Sequence, residues 1–192
     1  MAGGENSASG GAAGNPTAAA DMVVQAGKNW SEALSSAERS AVRSYTGNET
    51  YKNINGVLRG RADSFDPGNL EIARDLHDAL SRASLSADCV VYRGASEAAL
   101  GPFQNLPNEM LLNGVIADKG FMSTSLERGS AFEDEVLLEI LAPKGSHGAY
   151  VGHISSAGHY EKEVLFDAGQ RMRILEAFWA DDGRRIVRVE IF

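Results

Sequence analysis

Cysteine is all but missing from this chain. The single one, Cys89, permits no internal disulfide. It stands in the apolar run Cys89-Val90-Val91 and reads as a small buried hydrophobe, since nothing nearby pairs it with a histidine as a nucleophile would need. Long apolar runs are absent as well. None nears the roughly 20 residues that span a bilayer, so no membrane partner is expected. Positive charge is scarce: 18 Lys and Arg against 26 Asp and Glu leave a net charge of −8. Bulk attraction cannot hold a polyphosphate on such a chain, which ranks nucleic acid low as a partner. The arginines near the C-terminus (Arg171, Arg173, Arg184, Arg185 and Arg188) read as a solvated strand face. The glycines fall into neither G-x-G-x-x-G nor Walker spacing, so a nucleotide would have to bind without a Rossmann fold or P-loop. Among the histidines, His77 reads as a helix-surface residue. His147 and His153 have no cysteine or carboxylate at metal-ligand spacing, and no metal is expected.

What remains is the composition of an ordinary globular domain, 43% hydrophobic and 23% charged. The opening stretch is rich in Ala, Gly and Ser and lacks the basic start and apolar centre of a secretory signal. Residues 1–28 are expected to be a flexible linker, which suggests a domain attached to or carried by something else. Residues 29–192 are expected to form one catalytic domain. Ser35-x-x-Glu38 is a capping-box pattern that opens a helix running to Tyr45. Tyr51, Ile54 and Leu58 mark a second helix. Asn69 can cap a third, whose stripe is Ile72, Leu76, Leu80 and Ala83. From residue 88 onward short strands are expected at 89–92, 121–125, 136–141, 150–154, 163–166, 172–175 and 186–192, with Asp182-Gly183 as a hairpin turn. Helices first and strands afterwards argue for an α+β domain with mainly antiparallel sheets.

Three segments carry chemistry. Val91-Tyr92-Arg93-Gly94 ends a buried strand with a guanidinium, the group best shaped to grip a phosphate through two parallel hydrogen bonds, and Gly94 allows close backbone approach. Gly120-Phe121-Met122-Ser123-Thr124-Ser125 sets three hydroxyls on a strand, with Ser123 and Ser125 on one face; hydroxyls can fix a ribose or a carboxylate. Glu161-Lys162-Glu163 opens an apolar strand. Period two puts both carboxylates on one face, roughly 6–7 Å apart. A carboxylate pair is the usual equipment for breaking a glycosidic bond through an oxocarbenium-like transition state. Taken singly, each segment also fits a plainer reading: a surface ion pair, a Ser/Thr-rich edge strand, a solvated strand start.

Arg, then Ser-Thr-Ser, then Glu-x-Glu, in that order at strand positions, resembles the arginine–serine–glutamate class of mono-ADP-ribosyltransferases. That class includes bacterial ADP-ribosylating toxins and effectors and the arginine-specific vertebrate enzymes. The resemblance covers about residues 30–192 and extends to Tyr45, Thr46, Asn55, Gly56, Leu58, Tyr150 and Gly152. It implies the ADP-ribosyltransferase fold, N-terminal helices followed by two mainly antiparallel sheets, with NAD as co-substrate. In it Arg93 binds an NAD phosphate and the Gly94 backbone meets the nicotinamide amide. Ser123 supports the nicotinamide ribose and positions the catalytic glutamate, with Thr124 and Ser125 completing the motif. Glu163 bonds the ribose 2′-hydroxyl as the catalytic glutamate. Glu161 prepares the acceptor, and a glutamate there goes with arginine acceptors. The segment 155–160 is the loop that meets the target, with His159 and Tyr160 as recognition residues. The segment around Arg128 and Phe132 is the loop that closes on phosphate and nicotinamide; Phe132 fits a ring-stacking role and a core role equally.

The resulting expectation is a toxin or effector that cleaves NAD and transfers ADP-ribose to an arginine of a target protein. It would be secreted or delivered into a cell and act in the cytosol, where NAD is abundant. A carrier, delivery or immunity protein is a further class of partner. An NAD glycohydrolase, a transferase for a non-arginine acceptor and a degenerate fold used only for binding remain as alternatives. No stretch of the sequence identifies the target.

Overall fold

Alanine is the strongest helix former, and Val23, Gly27 and Trp30 repeat at the spacing of one helix face. In the computed structural model, which describes residues 16–47, 49–156 and 158–192, this stretch forms helix α1 (Pro16–Ala33). Pro16 opens the helix, where a missing N–H is harmless. Val23 is buried, and the Trp30 indole donates to the Ala79 carbonyl at 3.2 Å. The linker expected over residues 1–28 is therefore corrected for 16–28: alanine content that reads as flexible is here a docked helix. Residues 1–15 lie outside the described residues.

The capping box at Ser35 and Glu38 is formed and opens α2 (Ser36–Tyr45). It is followed by α3 (Thr50–Leu58) and α4 (Asn69–Ser81). The cap of α4 is Gly68, with φ of 83°, and Asn69 is the first helical residue. Val42, Ile54, Leu76 and Leu80 from these helices pack with Phe121, Val151 and Leu165 in one apolar cluster.

The strands are β1 (Cys89–Ala95), β2 (Val115–Asp118), β3 (Met122–Ser125), β4 (Val136–Ala142), β5 (Gly148–Tyr150), β6 (Glu163–Phe166), β7 (Gln170–Trp179) and β8 (Arg185–Ile191). Only β2, four residues between short 3-10 turns and a tight turn, is unforeseen in the sequence. The strand expected over 150–154 ends at Tyr150 and turns back. The two expected sheets are one: the described strands pair in the order β2-β7-β8-β4-β1-β3-β6-β5, all antiparallel except β4 with β8. That sheet is strongly rolled. Asp118 on edge strand β2 comes within 3.6 Å of Arg93 on β1, four strands away. A flat sheet would hold them about 19 Å apart at the usual strand spacing. A register shift between Ile174 and Glu176 in β7 contributes local bending. The inner face is a second apolar cluster that includes Val91, Met122, Leu138, Ile140, Phe166 and Val189.

The C-terminal arginines do not share one solvated face. Arg185 is buried and bonds Glu97, Asn108 and the Leu106 carbonyl, fixing the 97–110 segment to the sheet. Arg171, Arg173 and Arg188 are exposed, as expected.

Helix α1 yields a test of sign. In an open helix, glycine to alanine stabilises by about 1 kcal/mol. A Cβ at Gly27 would lie 2.4 Å from the Tyr150 carbonyl oxygen, a backbone atom that cannot step aside. Gly27→Ala is expected to destabilise by about 1–3 kcal/mol in urea unfolding, as overpacking does. Stabilisation instead would show that α1 does not dock on β5.

Candidate active site

The strand order places β1, β3 and β6 side by side. β3 and β6 pair along their whole length, with Ser125 opposite Glu163 and Ser123 opposite Leu165. β1 and β3 meet only at Tyr92 opposite Ser125. Beyond that point they separate, and the Arg93 guanidinium bridges the gap by donating to the Ser123 carbonyl at 2.6 Å. The opening is a cavity of about 410 Å³ that Arg93, Gly94, Ser123, Thr124, Ser125, Glu161 and Glu163 all line. Residues 70 positions apart in sequence thus share one hollow.

Glu163 begins β6 and is 4% exposed. The Ser123 hydroxyl donates to one carboxylate oxygen at 2.6 Å, and the Ser155 hydroxyl to the other at 3.3 Å. Burial pushes the carboxyl up to about 7; the Ser123 bond opposes this, the nearby Glu161 adds to it, and the Ser155 bond opposes it again. A carboxyl so poised is a mark of functional sites.

Glu161 reaches the cavity by a route other than the expected one. It ends a short 3-10 helix, Gly158–Glu161, and is not in the strand. Lys162 follows with φ of +45°, a left-handed kink that breaks period two. The Lys162 ammonium turns away to pair with Glu127, while the Ser125 hydroxyl donates to the Glu161 carbonyl at 2.8 Å. Both carboxylates still line the cavity, brought there by a turn. Thr124 points the other way and donates to the Val164 carbonyl at 2.8 Å, so its hydroxyl is occupied within the sheet. Tyr160 is 92% exposed beside Glu161. His159 is in the same short helix, with its side chain outside the described residues.

The loop after β3 covers Gly94. A Cβ at Gly94 would stand 1.9 Å from the Phe132 carbonyl oxygen, so only glycine fits there. Arg184 holds that same carbonyl at 3.0 Å. The Phe132 ring is 70% exposed at the cavity, which removes the core reading.

The opposite wall comes from α2 and α3. Tyr45, Thr46 and Asn55, the softer features of the sequence, all line it. Asn55 bonds the Tyr45 hydroxyl at 2.8 Å and both the N–H and C=O of Phe121, tying the helices to the start of β3. Sequence reasoning missed Arg59 and Asp118 here, placed Ser155 only in the target-facing loop, and read Arg184 only as part of a solvated face. Arg59 had a signal, since it lies four residues after Asn55, at the cap that ends α3. The other three are brought in by loops and by the roll of the sheet, and no spacing announces them.

Arg93 is largely buried. Burial pulls its guanidinium below the ordinary value, Asp118 counters this, and Arg59 adds to it. On its far side a second cavity of about 360 Å³ shares Arg59, Arg93 and Gly94 with the first. Among the described residues, no group of three or more His, Cys, Asp and Glu side chains is placed to hold a metal ion.

The sequence profile of the ADP-ribosyltransferase exoenzyme family matches residues 23–190. The chain belongs to that family. Among characterised relatives it is 29% identical over 140 residues to the NAD(+)–arginine ADP-ribosyltransferase EFV of Enterococcus faecalis, covering 66% of this chain and 26% of that protein. It is 27% identical over 136 residues to the NAD(+)–protein-arginine ADP-ribosyltransferase Tre1 of Pseudomonas putida, covering 71% of this chain and 25% of that one. The chain thus spans about a quarter of the length of the curated relatives it matches. In structure it is similar to Plx2a, an ADP-ribosyltransferase toxin from Paenibacillus larvae, with a TM-score of 0.78, 23% identity, and 92% and 96% of the two chains covered. C3stau2 from S. aureus, solved with NAD, superposes with a TM-score of 0.76 at 20% identity over 93% and 96% of the two chains. These structures share the α+β fold of the exoenzyme family.

The buried Glu163 gives a pH-dependent stability. Its carboxyl moves from an ordinary 4.5 to about 7 on folding. The folded chain therefore holds more protons than the unfolded one between those values, and stability falls as pH rises through them. The cost of the ionised form is at most about 3 kcal/mol. Glu163→Gln is expected to stabilise the protein at pH 8, by up to that amount, and to change little near pH 4.5, read as denaturation midpoints. An effect equal at both pH values would mean that Glu163 is solvated in the folded chain.

Proposed function

We propose that this exoenzyme-family domain is an NAD-dependent mono-ADP-ribosyltransferase that modifies an arginine of a target protein. The observation that carries the reading is Glu163, buried, held by Ser123 and facing the cavity that Arg93 and Gly94 also line. NAD fits this site as substrate. Its diphosphate would lie against Arg93 and Arg59, the two cations shared by both cavities, with the nicotinamide ribose on the Glu163 side and the adenosine on the other. The Gly94 backbone is the natural partner of the nicotinamide amide once the Phe132 carbonyl gives way.

The reaction breaks the bond between ribose C1′ and the nicotinamide nitrogen, and the electron pair leaves with nicotinamide. The sugar is then oxocarbenium-like. The Glu163 carboxylate, bonded to the ribose 2′-hydroxyl, stabilises that cation. An arginine nitrogen of the target attacks C1′ and gives up one proton, which Glu161 would accept. Guanidinium is a poor nucleophile, and a carboxylate beside it both binds the cation and assists its deprotonation. Thr124 and Ser125 act through the backbone, Ser125 by holding the Glu161 turn. The short helix Gly158–Glu161, with Tyr160 exposed and His159 beside it, is the surface that meets the target. Among the described residues no helix is long and apolar enough to cross a membrane, and the chemistry requires a compartment supplied with NAD. A toxin or effector delivered to another cell suits these requirements, with the carrier or immunity partner set by the delivery route.

Glu161→Gln separates the two carboxylates. Transfer of labelled ADP-ribose to protein is expected to fall at least a hundredfold, whereas slow release of nicotinamide into water persists. Loss of both activities together would contradict the division of roles. Nicotinamide release with no protein labelling by the wild type would identify a glycohydrolase.

A further inference from the structure

Two guanidiniums stand side by side at the junction of the two cavities, and like charges do not gather there unaided. Asp118, the last residue of β2, is the group between them. Arg59 donates to it through both Nε and Nη2, each at 2.8 Å, a two-pronged ion pair with both side chains largely buried. The Arg93 Nη2 atom stands 3.6 Å from the same carboxylate. The Gly120 N–H donates to it at 3.0 Å, which fixes the carboxylate at the turn leading into β3.

We propose that Asp118 is a positioning residue for diphosphate binding, holding Arg59 and Arg93 in parallel so that their remaining donors face one ligand. The proposal rests on the reading of the junction as the diphosphate site. Arg59 spends its Nε–Nη2 edge on Asp118, with Nη2 also 3.4 Å from the Phe121 carbonyl, which leaves Nη1 for a ligand. Arg93 spends Nη1 on the Ser123 carbonyl and approaches Asp118 with Nη2. One carboxylate among two guanidiniums leaves a net charge of +1, enough to favour a dianionic diphosphate while sparing the free chain a bare pair of buried cations. Asp118 also links edge strand β2 to the ligand, because the turn after it leads into β3, whose Ser123 carbonyl Arg93 holds.

The test uses the intact chain, calorimetric titration with ADP and separately with nicotinamide, and steady-state NAD cleavage. Asp118→Asn removes the charge at constant size. It is expected to weaken ADP binding at least tenfold and raise the KM for NAD by a similar factor. The kcat should stay within about threefold and nicotinamide binding should be unchanged, the latter reporting that the nicotinamide cavity is intact. Asp118→Glu should recover part of the ADP affinity. In the Asp118→Asn background, Arg59→Lys should add little further loss, since its partner has gone. The proposal is overturned if Asp118→Asn binds ADP equally well or more tightly, which would make Asp118 a competitor of the phosphates. Equal loss of ADP and nicotinamide binding would overturn it too, as a general structural effect. If the wild-type chain does not bind ADP, the reading of the junction itself fails, and this is seen before any substitution is made.

Discussion

A carboxylate that is 4% exposed must be held by donors or give up its charge. Glu163 has two serine hydroxyls on its two oxygens, and the surrounding fold supplies both. Ser123 comes from the neighbouring strand. Ser155 comes from a loop whose next residue, Ser156, is anchored to the end of α2 through the Thr46 hydroxyl and the Arg43 carbonyl. The carboxyl is thereby poised near neutrality, able to stay ionised in a cavity and yet strengthened by its low polarity. Were Glu163 solvated, its charge would be screened by water, which would weaken the role proposed for it against a developing sugar cation.

The cationic side of the cavity follows the same logic with the signs reversed. Burial draws the Arg93 guanidinium below its ordinary value, Asp118 opposes this in part, and Arg59 adds to it. The anionic and cationic halves are joined physically, because Arg93 donates to the carbonyl of the same Ser123 whose hydroxyl holds Glu163. One residue on β3 therefore sets the distance between the Arg93 guanidinium and the Glu163 carboxylate. That arrangement needs β1 and β3 to part after a single register pair, and the sheet to roll far enough to bring Asp118 of β2 to Arg93 of β1.

Much of this was legible before folding. The order Arg93, Ser123, Glu163 pointed to one site through its resemblance to the arginine–serine–glutamate transferases, each segment alone fitting a plainer reading, and the alternation of Val187, Val189 and Ile191 declared β8. The helices α2 to α4 followed from a capping box and apolar stripes. What sequence could not supply is contact made by curvature and by turns. The meeting of Asp118 with Arg93 comes through the turn 119–121 that joins β2 to β3, the neighbour of β1, and strand alternation alone does not announce it. Strand period put Glu161 on one face with Glu163; in the fold both line the cavity, but a left-handed Lys162 brings Glu161 there by a turn. Helix α1 was missed because its Ala-rich opening resembles a linker, although Val23, Gly27 and Trp30 carry a helical stripe within it.

The most direct test of the central claim is incubation of the purified protein with adenylate-labelled NAD and a cell lysate, wild type beside Glu163→Ala. A protein band labelled by wild type and absent with Glu163→Ala, with the modification mapped to an arginine by mass spectrometry, is the predicted result. Equal labelling by both proteins, or no turnover of NAD by either, would contradict the assignment of Glu163 as the catalytic carboxylate.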